Sequence, residues 1–84
     1  MSWYVYMVRC RDNSLYTGYT NDPERRAAVH NSGKGAKYTR SRLPVSLVYQ
    51  EECADKNEAQ KREWAVKHLT KTEKDCLILR KNEF

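Results

Sequence analysis

The chain has 84 residues, so it has room for one domain with a modest core, since a protein of this size buries only about 60% of its unfolded surface. A disordered chain is excluded because 39% of the residues are hydrophobic and 11% are aromatic, even though 32% are charged. Lys and Arg outnumber Asp and Glu by 16 to 11, and the net charge of +5 favours a polyanionic partner, although solubility explains it equally well.

The cysteines and the first residues indicate a reducing compartment. Cys10, Cys53 and Cys76 have no metal-ligand spacing, and this odd, scattered set predicts small buried or half-buried thiols. The segment MSWYVYMVRCR is too short and is charged too early for a signal peptide, and no apolar run approaches the roughly 20 residues that span a bilayer. We therefore expect a soluble, cytoplasmic protein without a membrane partner.

The N-terminal part of the chain predicts a β-hairpin. Residues 3–10 are β-branched and aromatic with almost no polar interruption, which is typical of a central strand. Turn-forming residues occupy positions 11–14, and residues 15–20 predict a second strand that pairs with the first.

A first helix is predicted directly after this hairpin. Asn21 or Asp22 can cap its N-terminus, and Pro23 stands near the first helical position, where a missing N–H costs nothing. We expect the helix to run to about Asn31 and to stop at Gly33.

A basic loop is predicted for residues 33–42, GKGAKYTRSR, and Pro44 prevents a helix from continuing beyond it. The segment is either merely solvated or follows a nucleic-acid backbone, and its internal tyrosine favours the second interpretation. The candidate nucleic-acid-binding residues are Lys34, Lys37, Tyr38, Arg40 and Arg42.

One strand and two helices complete the predicted fold. Residues 45–50 predict the strand. Two capping-box signatures, Asp or Thr followed three residues later by Glu, predict helices over about residues 56–69 and 71–80. The element order ββαβαα predicts an α+β fold with a three-stranded, mostly antiparallel sheet flanked by helices.

Polar side chains at five positions are candidates for chemistry. Tyr6 and Tyr16 lie ten residues apart on consecutive predicted strands. Arg26 and His30 are four residues apart, so they share one face of the first helix. The fifth candidate is Glu63, on the second predicted helix.

Glu63 stands out because it falls within the apolar stripe of its helix. Ala59, Val66 and Leu69 define that stripe. A carboxylate that faces a core is costly unless it is paired or binds a metal. The alternatives are a salt bridge to Arg26 or a neighbouring Lys, and a metal site.

The pattern as a whole resembles one known family. The triplets YVY at 4–6 and YTG at 16–18 resemble the two halves of the GIY-YIG nuclease motif. Arg26 lies ten residues after the second tyrosine, as the family's arginine does, and His30 stands where several members carry histidine. Glu63, within KREWAVK, resembles the metal-binding glutamate of the family.

The resemblance extends over nearly the whole chain, to about Ile78. The stretch HNSGKGAKYTRSRLPVSLVY is similar to the small, stand-alone bacterial branch in particular. Tyr4 replaces the glycine of the first triplet, Thr17 replaces the isoleucine of the second, and Pro23 stands where leucine is common. Larger relatives carry an extra DNA-binding domain, for which a single domain over residues 1–84 leaves no room.

Phosphodiester hydrolysis suggests a role for each candidate. Glu63 would hold Mg²⁺ or Mn²⁺, hard cations that take oxygen ligands. Arg26 offers a planar fork that matches two phosphate oxygens. Tyr6 is the first choice for the general base, and Tyr16 would orient the water or the phosphate. His30, with an ordinary pKa of about 6.5, is either the base itself or assists Tyr6, and the sequence leaves both open.

A shared site requires Tyr6 and Tyr16 on the same face of the sheet. Because side chains alternate along a strand, a hairpin that pairs Cys10 with Leu15 would separate the two rings. A three-residue turn that pairs Cys10 with Tyr16, or a β-bulge, would bring them together, and we expect one of these arrangements.

These features together predict a metal-dependent endonuclease that hydrolyses nucleic-acid phosphodiester bonds in DNA repair or processing. DNA is the first candidate substrate and RNA the second. The main alternative is a nucleic-acid-binding module with the same fold and weak or no cleavage. A protein-interaction domain with an incidental basic face is a further alternative, and it predicts no salt-dependent affinity for nucleic acid.

Overall fold

The computed structural model describes residues 2–81 and has an α+β fold. A single three-stranded antiparallel sheet carries helices on both faces, which confirms the predicted fold class. No helix within the described range is long and apolar enough to cross a membrane. The elements in chain order are β1 (Trp3–Arg9), β2 (Leu15–Thr20), α1 (Pro23–Asn31), α2 (Lys37–Arg40), β3 (Ser46–Cys53), α3 (Lys56–Lys67) and α4 (Lys71–Lys81).

The apolar strand β1 lies in the middle of the sheet, in the order β2-β1-β3. Its run of buried residues is expected for a strand that is covered on both faces. Strand β3 continues to Cys53, three residues beyond the predicted end, because Cys53 pairs with Trp3 at the start of β1. The sequence does not predict this extension because it contains Glu51 and Glu52, and charged residues are uncommon within strands.

The sheet separates two hydrophobic clusters. Val5 and Met7 point to one face, where they pack with buried residues of α3 and α4 such as Val66. Tyr6 and Val8 point to the other face, which is covered from the side of α1. The alternation along β1 therefore places the candidate tyrosine in a small second core, away from the main one.

The hairpin turn places Tyr6 and Tyr16 on the same face, as a shared site requires. Tyr6 lies opposite Gly18 and Val8 opposite Tyr16, so both tyrosines have the same parity in the register. The turn has three residues, but the backbone N–H of Cys10 donates to the carbonyl of Ser14 at 2.8 Å. The predicted pairing of Cys10 with Tyr16 is therefore wrong, whereas the predicted shared face is confirmed.

The predicted helix caps form as expected. The Asp22 carboxylate accepts a hydrogen bond from the Arg25 backbone N–H, and Gly33 follows α1 with φ +83°. Asp55 caps α3 in the same way, by accepting from the Glu58 N–H at 2.8 Å. The two hydrogen bonds of a complete capping box join Thr70 and Glu73 at the start of α4.

Two further predictions need correction. The segment 33–42 is not wholly a loop, because residues Lys37–Arg40 form the single-turn helix α2, so the element order is ββααβαα. The turn is held by a tertiary contact between Thr39 and α1, which local sequence does not reveal. Cys10 and Cys53 are buried as predicted, but Cys76 is exposed on α4.

Candidate active site

A chain of three buried polar side chains runs from β1 through α1 to α2. The hydroxyl of Tyr6 lies 2.8 Å from Nε2 of His30, and Nδ1 of His30 lies 2.9 Å from Oγ1 of Thr39. The Thr39 hydroxyl also donates to the carbonyl oxygen of Ala36 at 2.9 Å. His30 and Thr39 are 0% exposed and Tyr6 is 1% exposed, so the protein itself satisfies these groups.

The direction of every hydrogen bond in this chain follows from the threonine. A hydroxyl has one proton, and with that proton donated to Ala36, Thr39 accepts from Nδ1–H of His30. Nε2 of His30 then carries a lone pair and accepts from the Tyr6 hydroxyl. The fold therefore presets a neutral imidazole that is ready to receive a proton from Tyr6.

The pKa shifts of the two rings agree with this assignment. Burial lowers the pKa of His30, and the positive charge of Arg26 lowers it further, so the imidazole is neutral at physiological pH. Burial raises the pKa of Tyr6 to about 12, and the neighbouring Arg26 guanidinium opposes part of that rise. The resting state is thus a protonated phenol beside a neutral imidazole.

Two glycines form the walls against which these rings pack. A Cβ atom at Gly18 would lie 2.7 Å from the Tyr6 hydroxyl. A Cβ atom at Gly35 would lie 2.3 Å from Nδ1 of His30 and 2.8 Å from its Cα. Both rings therefore need a neighbouring backbone without a side chain, and the GKGAKYT segment supplies one of the two walls.

Gly35→Ala is expected to destabilise the protein by about 1–3 kcal/mol, the usual cost of overpacking a buried site. The new methyl group would meet backbone as well as the imidazole, so a rotamer change alone could not relieve the contact. The denaturant midpoint of unfolding measures this effect. Ala54→Ser, which enlarges an exposed residue by one atom, is the control, and equal midpoints for both variants would contradict the packing argument.

The chain of polar groups opens into a cleft of about 390 Å³ on the protein surface. Tyr6, Tyr16 and Arg26 line it together, so three of the five candidate residues meet there. The ring of Tyr16 meets the His30 ring edge-on, with centroids 5.2 Å apart. The other lining residues are Trp3, Tyr19, Thr20, Asn21 and Lys56.

Glu63 lies on α3 and is not among the residues that line this cleft. It is half-buried, with the fully buried Ala59 and Val66 on the same stripe of the helix. Its negative charge is among the influences that raise the pKa of Tyr6, so the carboxylate is within electrostatic reach of the phenol. No ion pair within residues 2–81 includes Glu63, so the first alternative, a salt bridge to Arg26 or a neighbouring Lys, is not formed there.

Carboxylate, histidine and cysteine side chains do not cluster in groups of three or more anywhere in the described part of the chain. A metal ion at this site would take Glu63 as a carboxylate ligand and complete its coordination with water and substrate oxygens. Such a donor set suits Mg²⁺, which commonly uses one or two carboxylates, several waters and substrate phosphates.

The basic segment is more constrained than its sequence indicates. Arg42 pairs with Asp12 of the hairpin turn at 3.1 Å, and its guanidinium lies 4.0 Å from the centre of the Tyr38 ring. Arg40 donates to the carbonyl oxygen of Gly35 at 3.2 Å. Lys34 and Lys37 are exposed, so the two lysines are better placed than the arginines to meet a polyanion.

A comparison of the sequence with known protein families assigns the chain to a family. The profile described as the GIY-YIG catalytic domain matches residues 2–75. The chain belongs to the GIY-YIG family. GIY-YIG domains form a nuclease superfamily, and the matched range includes all five candidate residues.

Two of the similar proteins carry the name UPF0213. A UPF0213 protein of Staphylococcus haemolyticus is 58% identical over 75 residues, which cover 89% of this chain and 92% of that protein. The solution NMR structure of a UPF0213 protein of Bacillus halodurans has a TM-score of 0.62 at 48% identity, covering 99% of this chain and 88% of the other. The solution NMR structure of a protein from E. faecalis has a TM-score of 0.62 at 44% sequence identity, and the match covers 100% of this chain and 91% of that chain. The predicted likeness to the small branch of the GIY-YIG family is confirmed.

The GIY-YIG motif located the tyrosines but not the residues that orient them. Thr39 was predicted only as part of a basic loop, although it determines the tautomer of His30. Gly35 was likewise unassigned, although His30 packs against its backbone. A threonine and a glycine within a basic segment do not by themselves predict a functional role. Their role here depends on contacts with His30 of α1, which only the folded structure shows.

Proposed function

We propose that this GIY-YIG domain is a metal-dependent endonuclease that hydrolyses phosphodiester bonds of nucleic acid, with DNA as the substrate and DNA repair or processing as the role. The observation that carries the proposal is the hydrogen-bonded chain from Tyr6 through His30 to Thr39. Its Tyr6 end lines a cleft that Arg26 also lines. A buried proton acceptor behind a tyrosine that lines the cleft has a clear use in hydrolysis and little use in a passive binding module.

In this proposal Tyr6 is the group that contacts the attacking water. Its raised pKa of about 12 makes a standing phenolate rare, so the phenol needs a partner that takes its proton as the water loses one. Neutral His30 is that partner, since its Nε2 already accepts from the Tyr6 hydroxyl. Of the two roles considered for His30, the geometry therefore favours assistance to Tyr6.

Arg26 and Tyr16 are proposed to hold the scissile phosphate. The guanidinium of Arg26 lines the cleft next to Tyr6, where its planar donors match two phosphate oxygens. Tyr16 is fixed edge-on against His30, and its hydroxyl is proposed to orient the phosphate or the water. Donors that are held in place before reaction stabilise developing negative charge without reorganising.

Glu63 is proposed to hold the divalent metal, Mg²⁺ or Mn²⁺. Its half-buried carboxylate, within electrostatic reach of Tyr6, fits a hard cation that completes its coordination with waters and substrate oxygens. When bound, such an ion supplies positive charge next to the phosphate. One carboxylate binds weakly alone, so we expect metal affinity to depend on the presence of nucleic acid.

The proposal is tested by incubating the purified protein with labelled single-stranded, duplex and branched DNA and with RNA, in Mg²⁺ or Mn²⁺. Wild type is expected to cleave at least one DNA substrate, and Glu63→Ala is expected to lose most of this activity because the proposed metal ligand is gone. Glu24→Ala removes an exposed carboxylate from α1 and serves as the matched control.

Each alternative function predicts a different result in these experiments. Salt-dependent binding without cleavage in either metal would favour the nucleic-acid-binding module. Absence of salt-dependent binding would favour the protein-interaction domain. Cleavage that persists in Glu63→Ala at the level of Glu24→Ala would contradict the proposed metal site.

A further inference from the structure

A second groove lies along the outer edge of β2. It has a volume of about 280 Å³ and is lined by Leu15, Tyr16, Thr17, Tyr38, Lys67 and Lys74, which we call the edge groove. Within residues 2–81, β2 pairs only with β1, so its other edge faces this groove. Two helices, α3 and α4, contribute the lysines, and the segment around α2 contributes the tyrosine.

The edge groove and the candidate active site share one lining residue. Tyr16 lines both the cleft that contains Arg26 and the edge groove. Its ring meets His30 on the active-site side and stacks with Tyr38 at 6.1 Å on the groove side. A chain molecule bound in the cleft would therefore enter the edge groove within a short distance of the scissile position.

The charge of the edge groove is positive and is not neutralised by the fold. Neither Lys67 nor Lys74 takes part in an ion pair within the described residues. Asp75, which follows Lys74 in the chain, pairs instead with Arg9 at 2.9 Å, and Asp12 pairs with Arg42. Two ammonium groups that line one small groove favour an anionic ligand.

Thr17 provides an independent sign of a missing ligand. Its side chain is 3% exposed, and its Oγ1 has no hydrogen-bond partner within the described range. A buried hydroxyl that lacks a partner is costly and calls for an explanation. An oxygen-rich ligand in the edge groove, which Thr17 lines, would supply the acceptor after a small local adjustment.

We propose that the edge groove is a second phosphate subsite, which binds the phosphodiester group next to the scissile one and so guides one nucleic-acid strand along β2. This inference rests on the proposed nuclease function. Lys67 and Lys74 would contact the phosphate oxygens, and the exposed part of Tyr38 would contact the attached sugar or base. The two lysines of the subsite lie outside the basic segment 33–42, for which the sequence predicts nucleic-acid binding, whereas Tyr38 belongs to that segment.

The test compares two double variants that lose the same charge. Lys67→Ala/Lys74→Ala empties the edge groove of its cations, whereas Lys61→Ala/Lys71→Ala removes exposed lysines of α3 and α4 that do not line it. Both are made in full-length Glu63→Ala protein, so that binding is measured without cleavage. The probe is a fluorescently labelled DNA oligonucleotide, titrated at several salt concentrations.

The edge-groove variant is expected to raise Kd about tenfold more than the control and to reduce the slope of log K against log salt by about 0.7 for each lost phosphate contact to a single strand. Thr17→Val, which keeps the shape and removes the hydroxyl, is expected to raise Kd about threefold without lowering Tm. A purely structural threonine would change Tm and leave Kd unchanged.

Equal Kd values and equal salt slopes for the two double variants would overturn the subsite. This result is separable from failure of the proposed function. If wild type cleaves DNA and the double variants bind alike, the subsite is wrong and the nuclease stands. If no substrate is cleaved and the edge-groove variant still binds more weakly than the control, the subsite stands and the nuclease proposal fails.

Discussion

Tyr6→Phe is expected to lower the rate of phosphodiester cleavage by a factor of about 10² to 10⁴, the usual contribution of general acid–base catalysis. The substitution removes one oxygen atom and keeps the ring that packs on Gly18. It deletes the hydroxyl whose proton His30 is positioned to accept. The phenol can then no longer pass a proton from the water to the imidazole. Single-turnover cleavage of a labelled oligonucleotide measures this rate.

Tyr49→Phe is a closely matched control for this variant. Tyr49 is also a buried tyrosine whose pKa is raised to about 12, but its hydroxyl donates to Glu51 and its ring belongs to the main core. We expect its cleavage rate to remain within about twofold of wild type after correction for any loss of folded protein. A Tyr6→Phe rate equal to that of Tyr49→Phe would exclude Tyr6 from the chemistry.

The pH dependence of cleavage reports on the same proton path. His30 must be neutral to accept a proton, and its pKa lies below the ordinary value of 6.5 because burial and Arg26 disfavour the charged ring. The rate should therefore hold as pH falls to 6.5 and decline only when pH passes through the lowered pKa. An acid limb above pH 6.5 would mean that His30 is not the group that titrates.

Arg26→Ala is expected to reduce the cleavage rate by a factor of about 10² to 10³, as the loss of one preorganised donor to a developing oxyanion typically does. Arg26 lines the cleft with Tyr6 and Tyr16, and its charge reaches both Tyr6 and His30. The variant should also shift the acid limb of the rate profile upward in pH, because a positive neighbour no longer lowers the pKa of His30.

Arg25→Ala is the natural comparison for Arg26→Ala, since Arg25 is an exposed cation at the adjacent position of α1. It should change affinity slightly and leave the rate at saturating substrate unchanged. Arg26→Lys should recover only part of the lost rate, because an ammonium group cannot present the planar fork of a guanidinium. Equal losses of cleavage rate in Arg25→Ala and Arg26→Ala would mean that Arg26 contributes only general positive charge and no specific contact with the phosphate.

Local sequence was sufficient for most of the secondary structure. The pattern of β1, the caps at Asp22 and Asp55 and the Thr70 capping box are set by residues within four positions of one another, so they can be inferred without a fold. Strand β3 was predicted three residues too short, because its last part is held by pairing with β1 and contains two glutamates.

By itself, the sequence determined the fold class, the family motif and the side chains at the candidate site, because periodicity, capping and motif spacing are written in short stretches of chain. Only the tertiary structure decided how those side chains act together. His30 is oriented by Thr39 in α2, Arg42 forms an ion pair with Asp12 in the hairpin turn, and Lys67 and Lys74 line one groove beside β2. Proton position and local charge depend on atoms within a few ångströms, and folding brings those atoms together from distant parts of the chain.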